Sequence, residues 1–222
     1  MAYRPDLRGW KGPILGFGLG LILAAPAVAD GEKAGDFDYF VAALSWSATW
    51  CDLEGAARGE PQCDAGAGIT FVLHGLWPQN EQGWPSWCRT VERDPSRTET
   101  AAVADVFGGA GAAFYQWKKH GRCSGLSARD FYAKARRVRE GIHIPAVFAK
   151  VNKRLQVPAS VIEGAFLEAN PGLAPDMVTV TCRDGMIEEV RLCLTPDLAP
   201  RPCAADSRND CRLQDAVLLP LR

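Results

Sequence analysis

Histidine and paired metal ligands are scarce in this sequence. Its 222 residues include three histidines, at positions 74, 120 and 143, and eight cysteines, none of which forms a CxxC pair. Zinc sites usually take their ligands from closely spaced pairs of cysteine or histidine, so we expect no metal and no other cofactor. The composition, 47% hydrophobic and 23% charged, is that of a globular domain.

Long apolar runs are missing as well. The longest, Ile14–Ala25, is interrupted by three glycines and is shorter than the ~20 residues that a membrane span needs. Basic residues precede it at positions 4, 8 and 11, and Ala27-Val28-Ala29 follows with the small-x-small pattern that signal peptidase reads. A membrane anchor is the competing interpretation. We predict a signal peptide over residues 1–29, cleaved after Ala29, and a mature chain of residues 30–222 that is periplasmic or secreted and free of the membrane.

Net positive charge is the third absence. The chain has 25 basic and 26 acidic residues and a formal charge of −1. Loss of residues 1–29 removes three basic residues and one acidic residue, which lowers that charge to about −3. Such a balance is not typical of proteins that bind duplex nucleic acid by bulk charge. A nucleic-acid substrate would have to be attracted by a local cluster of basic residues.

The eight cysteines all follow the predicted signal peptide. An even number of cysteines in an exported chain is typical of a disulfide framework, here of four bonds. Counting alone allows roughly 105 connectivities and does not choose among them. The cysteines stand at positions 51, 63, 88, 123, 182, 193, 203 and 211.

Apolar periodicity predicts a single α+β domain over residues 30–222. Strands are expected at residues 37–46, 69–74, 177–182 and 187–194, the last two as a hairpin around Arg183-Asp184-Gly185. The Gly- and Pro-rich residues 75–85 predict a loop. Helices are expected at residues 98–107, 110–120 with Gly121 at the C′ position, 127–140, 145–155 and 159–169. Because strands and helices do not alternate regularly, we expect a central antiparallel sheet with flanking helices.

Two segments carry residues suited to acid–base chemistry. His74 ends a predicted strand, and a helix would present Gln116, Lys119 and His120 on one face, with Trp117 directed elsewhere. RNA cleavage without a metal needs a base for the ribose 2′-hydroxyl, an acid for the departing 5′-oxygen and a cation for the phosphoryl oxygens. The two histidines and Lys119 supply that set if strand and helix face each other. Taken singly, each of these residues is more typical of a structural or solvated position.

Four segments together resemble the ribonuclease T2 family. HGLWP at residues 74–78 and WKKHGRC at residues 117–123 are similar to its two active-site signatures. LSWSATWC at residues 44–51 and EVRLC at residues 189–193 are similar to an early and a late strand of the family. The resemblance extends from about residue 37 to residue 211 and suggests an exported, bacterial-type member.

The resemblance implies roles and a disulfide pairing. His120 corresponds to the general base and His74 to the general acid. Lys119 corresponds to the lysine that stabilises the transition state, and Trp77 to the tryptophan beside the phosphate. The implied disulfides are Cys88–Cys123, Cys51–Cys63, Cys182–Cys211 and Cys193–Cys203.

Two positions depart from the family pattern. Gln116 stands where a glutamate is usual; its amide carries no negative charge but can donate to a phosphoryl oxygen. Tyr115 stands where a histidine is common. We expect Gln116 to take part in catalysis and Tyr115 in substrate binding, with the rate and pH dependence altered rather than the reaction. His143 has no motif around it, and Trp84 and Trp87 either stack on bases or cover the core.

These residues and the resemblance predict a T2-type endoribonuclease that cleaves single-stranded RNA without a metal. Transphosphorylation would give a 2′,3′-cyclic phosphate and then a 3′-phosphate end. DNA lacks the attacking hydroxyl and should not be cleaved. Two other classes compete: a binding protein on the same scaffold, which would not require both histidines and Lys119, and a metal-dependent nuclease or phosphodiesterase, for which no ligand cluster is present.

Overall fold

Six strands form the sheet of the computed structural model, which describes residues 32–222. They are β1 (Tyr39–Trp46), β2 (Phe71–Gln79), β3 (Leu155–Val157), β4 (Val178–Arg183), β5 (Met186–Leu194) and β6 (Ala216–Leu218). Strands β2, β1, β5 and β4 lie side by side and are antiparallel, and β4 and β5 form the predicted hairpin. A single parallel pair, Met186 with Val217, joins β5 to β6, which carries β3. The predicted signal peptide lies outside the described residues.

Helices flank this sheet. In the described part of the chain they are α1 (Ser47–Trp50), α2 (Arg97–Ala101), α3 (Ala104–Phe107), α4 (Ala110–Lys119), α5 (Ala128–Gly141) and α6 (Ala159–Ala169). The cap predicted before α5 is present, because Ser127 Oγ accepts from the backbone N–H of Asp130 at 3.2 Å. No helix within residues 32–222 combines the length and the apolarity needed to span a bilayer.

One face of the sheet packs against the helices and forms the core. Phe40 and Leu44 of β1 and Val190 of β5 are buried on that face. The centre of the core is a group of aromatic rings with centroids 5.0 to 5.8 Å apart, a spacing typical of tilted and edge-to-face contacts. Its members are Trp46, Phe71, Phe148 and Phe166. Since successive strand residues point to opposite faces, the other face of β1, β2 and β5 is available for polar groups.

The prediction of a loop over residues 75–85 is wrong for residues 75–79, which belong to β2. Strand β2 continues to Gln79, which pairs with Tyr39 of β1. Proline is tolerated here because β2 is an edge strand of the sheet. Gly75 is required for steric reasons, since a Cβ at this position would lie 1.9 Å from Trp77 Nε1. The glycine and proline that predicted a loop are therefore compatible with an edge strand in which a neighbouring side chain packs closely against the backbone.

Two predicted helices are wrong in extent. Residues 98–107 form α2 and α3, separated where Val103 leaves the helical conformation (φ −123°) and is buried in the core. Residues 145–155 form a 3-10 turn at Ala146–Lys150, and Leu155 then pairs with Leu218 in β3 and β6. Both differences come from tertiary packing, which overrides local propensity. Strand β6 and the helical turns within residues 51–63 have no counterpart in the sequence prediction.

Four disulfides tie the loops to this frame. They join the pairs that the family resemblance implied: Cys51–Cys63, Cys88–Cys123, Cys182–Cys211 and Cys193–Cys203. Cys88–Cys123 links the segment after β2 to the turn after α4 across a sequence separation of 35. Closing a loop of that length stabilises the folded chain by about 4 kcal/mol in the chain-entropy treatment.

Candidate active site

A β-bulge in β2 directs His74 toward the polar face of the sheet. Gly75 and Leu73 face consecutive residues of β1, so His74 is the extra residue between them. Leu73 and Leu76 both remain in the core, which leaves His74 and Gly75 together on the opposite side. Bulges re-aim side chains in this way and are frequent beside active sites.

The end of α4 presents Lys119 and His120 to the same region. Trp117 anchors this turn as predicted: it is fully buried, and its Nε1 donates to Asp94 at 3.0 Å. Asp94 also accepts from Lys118 Nζ at 3.2 Å. Of the two adjacent lysines, Lys118 is thus paired outside the site, whereas Lys119 lines the cavity that both histidines border.

The chain turns sharply after His120. His120 leaves the helical conformation (φ −121°), and a 3-10 turn, Gly121–Ser124, follows and ends at Gly125, whose φ is +72°. Gly121 occupies the predicted C′ position, one residue after the C-cap His120, but it begins the 3-10 turn and is not among the described glycines with a positive φ. It is also needed for close packing, because a Cβ there would lie 2.7 Å from the ring of Trp117.

Strand β2 and helix α4 border a cavity of about 400 Å³. The structure brings together here the six residues predicted for catalysis or substrate binding: His74, Trp77, Tyr115, Gln116, Lys119 and His120. The rest of the wall is formed by Val41, Gln79, Trp84, Arg191, Asp206 and Ser207.

Trp77 contacts both histidines. Its ring centroid lies 5.3 Å from that of His74 and 5.3 Å from that of His120. Its Nε1 donates to Gln116 Oε1 at 2.9 Å, and the Arg191 guanidinium carbon lies over its ring, 5.2 Å from the centroid. Because the amide oxygen of Gln116 is occupied by Trp77, its NH2 group is the part that can donate to a substrate oxygen.

His74 is held from the sheet side by Glu189. The Glu189 carboxylate bonds to His74 Nδ1 and, through its other oxygen, to Arg191 Nε at 2.8 Å. Burial by itself would raise the pKa of Glu189, but the hydrogen bonds and charges of His74 and Arg191 outweigh it and lower that pKa to about 2. Glu189 is therefore an anion at any pH at which the protein is expected to work.

His120 has a different environment. It is 6% exposed, and its Nδ1 has no hydrogen-bond partner among the described residues. Burial lowers the pKa of His120 to about 3, with smaller contributions from the charges of Lys119 and His74. The free protein thus holds this imidazole neutral and able to accept a proton.

The other aromatic residues lie at the rim. Tyr115 is 48% exposed, with Lys119 Nζ 5.9 Å from its ring centroid and Trp87 in an edge contact at 5.8 Å. Trp84 and Trp87 are both about half exposed, so neither covers the core. His143 lies elsewhere, beside a separate cavity between the ends of α5 and α6.

Glu189 and Arg191 are the site residues that sequence reasoning missed. They stand two positions apart on β5 and so share one face of a strand that is paired on both sides. A charged pair on such a strand must find partners because isolated charges are strongly disfavoured in the interior. That pattern is a usable signal for a buried carboxylate with polar partners.

The cleft brings together groups that can accept and donate protons. It combines a neutral buried imidazole, a second imidazole backed by a carboxylate, a lysine and an amide donor. Within residues 32–222, no group of three or more His, Cys, Asp or Glu side chains is arranged to hold a metal ion. Fold and site together define a disulfide-bonded α+β protein with a cleft lined by two histidines.

Comparison with known proteins identifies the family. The model of the ribonuclease T2 family matches residues 37–203, and the chain belongs to that family. A ribonuclease from Aeromonas hydrophila is 41% identical over 125 residues, which cover 55% of this chain and 55% of the relative. Ribonuclease S-2 of Antirrhinum hispanicum is 26% identical over 197 residues, covering 77% of this chain and 80% of the relative.

The fold is shared with solved structures. RNase NT, solved in complex with 5′-AMP, superposes with a TM-score of 0.64 at 23% identity, covering 83% of this chain and 99% of that one. The alignment with the Aeromonas protein spans little more than half of that relative's length.

Proposed function

We propose that the protein is an exported endoribonuclease that cleaves single-stranded RNA by metal-independent transphosphorylation. The observation that carries this proposal is the single cavity lined by His74, Lys119 and His120, with the two imidazoles in opposite electrostatic environments. When one proton is removed and another is supplied in the same step, two groups in different protonation states can share the work.

In the first step, His120 takes the proton of the ribose 2′-hydroxyl. The 2′-oxygen attacks the adjacent phosphorus, and His74 gives a proton to the 5′-oxygen as the phosphorus–oxygen bond breaks. Lys119 and the Gln116 amide donate to the phosphoryl oxygens, on which negative charge builds. The products are a 2′,3′-cyclic phosphate and a free 5′-hydroxyl.

The second step reverses the proton transfers with water as the nucleophile. His74, now neutral, takes a proton from water, and His120, now protonated, returns its proton to the 2′-oxygen. The product is a 3′-phosphate end. DNA is not a substrate, because the first step needs the 2′-hydroxyl.

The N-terminal segment and the cysteines support the proposal of export. Residues 1–29 have the pattern of a signal peptide cleaved after Ala29. Four disulfides suit a periplasmic or extracellular location. N-terminal sequencing of the exported protein should begin at Asp30.

The decisive assay follows RNA cleavage by the purified mature protein in excess EDTA. We expect degradation of RNA with release of 2′,3′-cyclic phosphate ends, and no cleavage of an oligonucleotide with a single 2′-deoxy sugar at the scissile position. A His120→Ala protein prepared in parallel controls for contaminating nucleases. Activity that disappears in EDTA and returns with Mg²⁺ would contradict the proposal, and binding of RNA without cleavage would favour a binding protein.

A further inference from the structure

Glu189 is a carboxylate buried in the middle of the sheet. It is 2% exposed and lies on β5 directly opposite Ser45 of β1. An ionised carboxylate is strongly disfavoured in such a place unless every oxygen is partnered. Its presence there calls for a reason beyond packing.

The two carboxylate oxygens of Glu189 have separate partners. Oε2 accepts from Arg191 Nε at 2.8 Å and is 2.7 Å from its terminal nitrogen. Oε1 accepts from Ser45 Oγ at 3.3 Å and bonds to His74 Nδ1. Arg191 alone would balance the negative charge of Glu189. The Oε1 atom of Glu189 is therefore available to bond to the imidazole of His74.

These partners come from three adjacent strands. Ser45 lies on β1, Glu189 on β5, and His74 at the bulge of β2. The ladder pairs Ser45 with Glu189, and His74 is held at the bulge between the paired residues Leu73 and Gly75. The carboxylate therefore meets one edge of the imidazole and leaves the Nε2 edge available to the cavity.

We propose that Glu189 is a positioning residue that holds His74 as the proton donor of the cleavage reaction. This inference rests on the proposed function. Glu189 keeps the Nδ1 proton of His74 in place, so that the proton lost to the 5′-oxygen comes from Nε2. After that transfer, His74 is the neutral tautomer with hydrogen on Nδ1, and its bare Nε2 is ready to take a proton from water in the second step.

Several other charged or titratable groups line the cavities beside His74, and they differ in sign. They are Arg191 on β5, Tyr115 and Lys119 on α4, His120 at the end of α4, Glu54 and Arg58 in the helical turns after α1, Glu60 just after those turns, and Asp206. Glu189 differs from all of them because it is a buried anion in direct contact with the ring, so its interaction with His74 is the least screened by solvent.

The first test compares Glu189→Gln with the unmodified protein in two backgrounds. With His74 present, kcat/KM on a dinucleotide should fall between about 10²- and 10⁴-fold, the upper figure being the loss when the aspartate of a serine-protease triad becomes asparagine. With His74→Ala, the same change should cost nothing further, because the two residues act as a unit.

Two further variants separate positioning from structure. Glu189→Asp keeps the charge at a greater distance and should recover part of the lost rate. Glu188→Gln removes the neighbouring carboxylate, which contacts Thr181 and Arg183, and should leave the rate and its pH dependence unchanged. Thermal unfolding of each variant shows whether it is folded.

A readout independent of activity is the tautomer of His74. The chain has three histidines, so 15N NMR of the imidazoles can be assigned by single substitutions. The neutral ring should carry its proton on Nδ1 in the unmodified protein and lose that preference in Glu189→Gln. Equal rate losses in both backgrounds, or a proton on Nε2 in the unmodified protein, would overturn the proposal. If the chain does not cleave RNA, the proposed function fails, while the NMR result still decides whether Glu189 sets the tautomer.

Discussion

The two histidines of the cleft, one on the sheet side and one on the helix side, lie in opposite environments. On the sheet side, His74 is partly exposed, with 41% of its side chain accessible, and is bonded to the buried anion Glu189. On the helix side, His120 is buried without a partner for Nδ1, and burial lowers its pKa to about 3. Two identical residues can thus serve as acid and base, because their surroundings favour different protonation states.

Removal of either histidine should have the largest effect on kcat/KM. His74→Ala and His120→Ala should each lower kcat/KM on a dinucleotide by about 10²–10⁴-fold, the usual contribution of a general acid or base. The double variant should be little worse than either single variant, because both act on one event. Additive losses would indicate that the two histidines do not act in the same step.

Lys119 should come next in effect. It lines the cavity, whereas its neighbour Lys118 is paired with Asp94. Lys119→Ala should lower kcat by about 10²–10³-fold, the cost of removing one group that stabilises the transition state. Lys118→Ala is the matched control and should leave kcat near that of the unmodified protein. Equal losses would mean that bulk charge rather than position matters.

These predictions rest on a site that the sequence indicated only in part. The signatures at residues 74–78 and 117–123 indicated residues that the structure brings to one cavity, because helix geometry fixes the face that Gln116, Lys119 and His120 share. The bulge at His74 was not predictable, since it depends on the register between β1 and β2. Glu189 was missed for a related reason: its partner is 115 residues away, and only the sheet order brings them together.

The same limit explains the errors in the fold. Local periodicity indicated the long helices α4, α5 and α6 and the hairpin of β4 and β5, whose contacts are close in sequence. It failed for β3, which exists because Leu155 meets Leu218, and for the second half of β2, which exists because it pairs with β1. Both segments are stabilised by distant partners.

Gln116→Glu should make the environment of His120 more like that of His74, because it places a carboxylate near the ring. Gln116 is buried one helical turn before His120. A carboxylate there would counter the burial of His120 and raise its pKa, so the acidic limb of the kcat/KM profile should move to higher pH. Gln116→Ala, which adds no charge, should lower the rate without that displacement. An unmoved limb in Gln116→Glu would mean that this position does not couple to the base.

The smallest effect should come from the third histidine. His143 lies beside a separate cavity, and its backbone is held by the side chain of Asn170 through two hydrogen bonds of 2.9 Å. His143→Ala leaves those backbone contacts in place and should keep kcat/KM within experimental error of the unmodified protein. A loss comparable to that of His74→Ala would overturn the assignment of the site.

The most direct test of the contrast between the two histidines is an NMR titration of His120 in the free protein. His74→Ala and His143→Ala provide the assignment, since the chain contains three histidines. We predict that the His120 imidazole stays neutral from pH 7 down to about pH 3, as its burial requires. A titration midpoint near the ordinary histidine value of about 6.5 would contradict the account, because His120 would then be as readily protonated as a histidine in water.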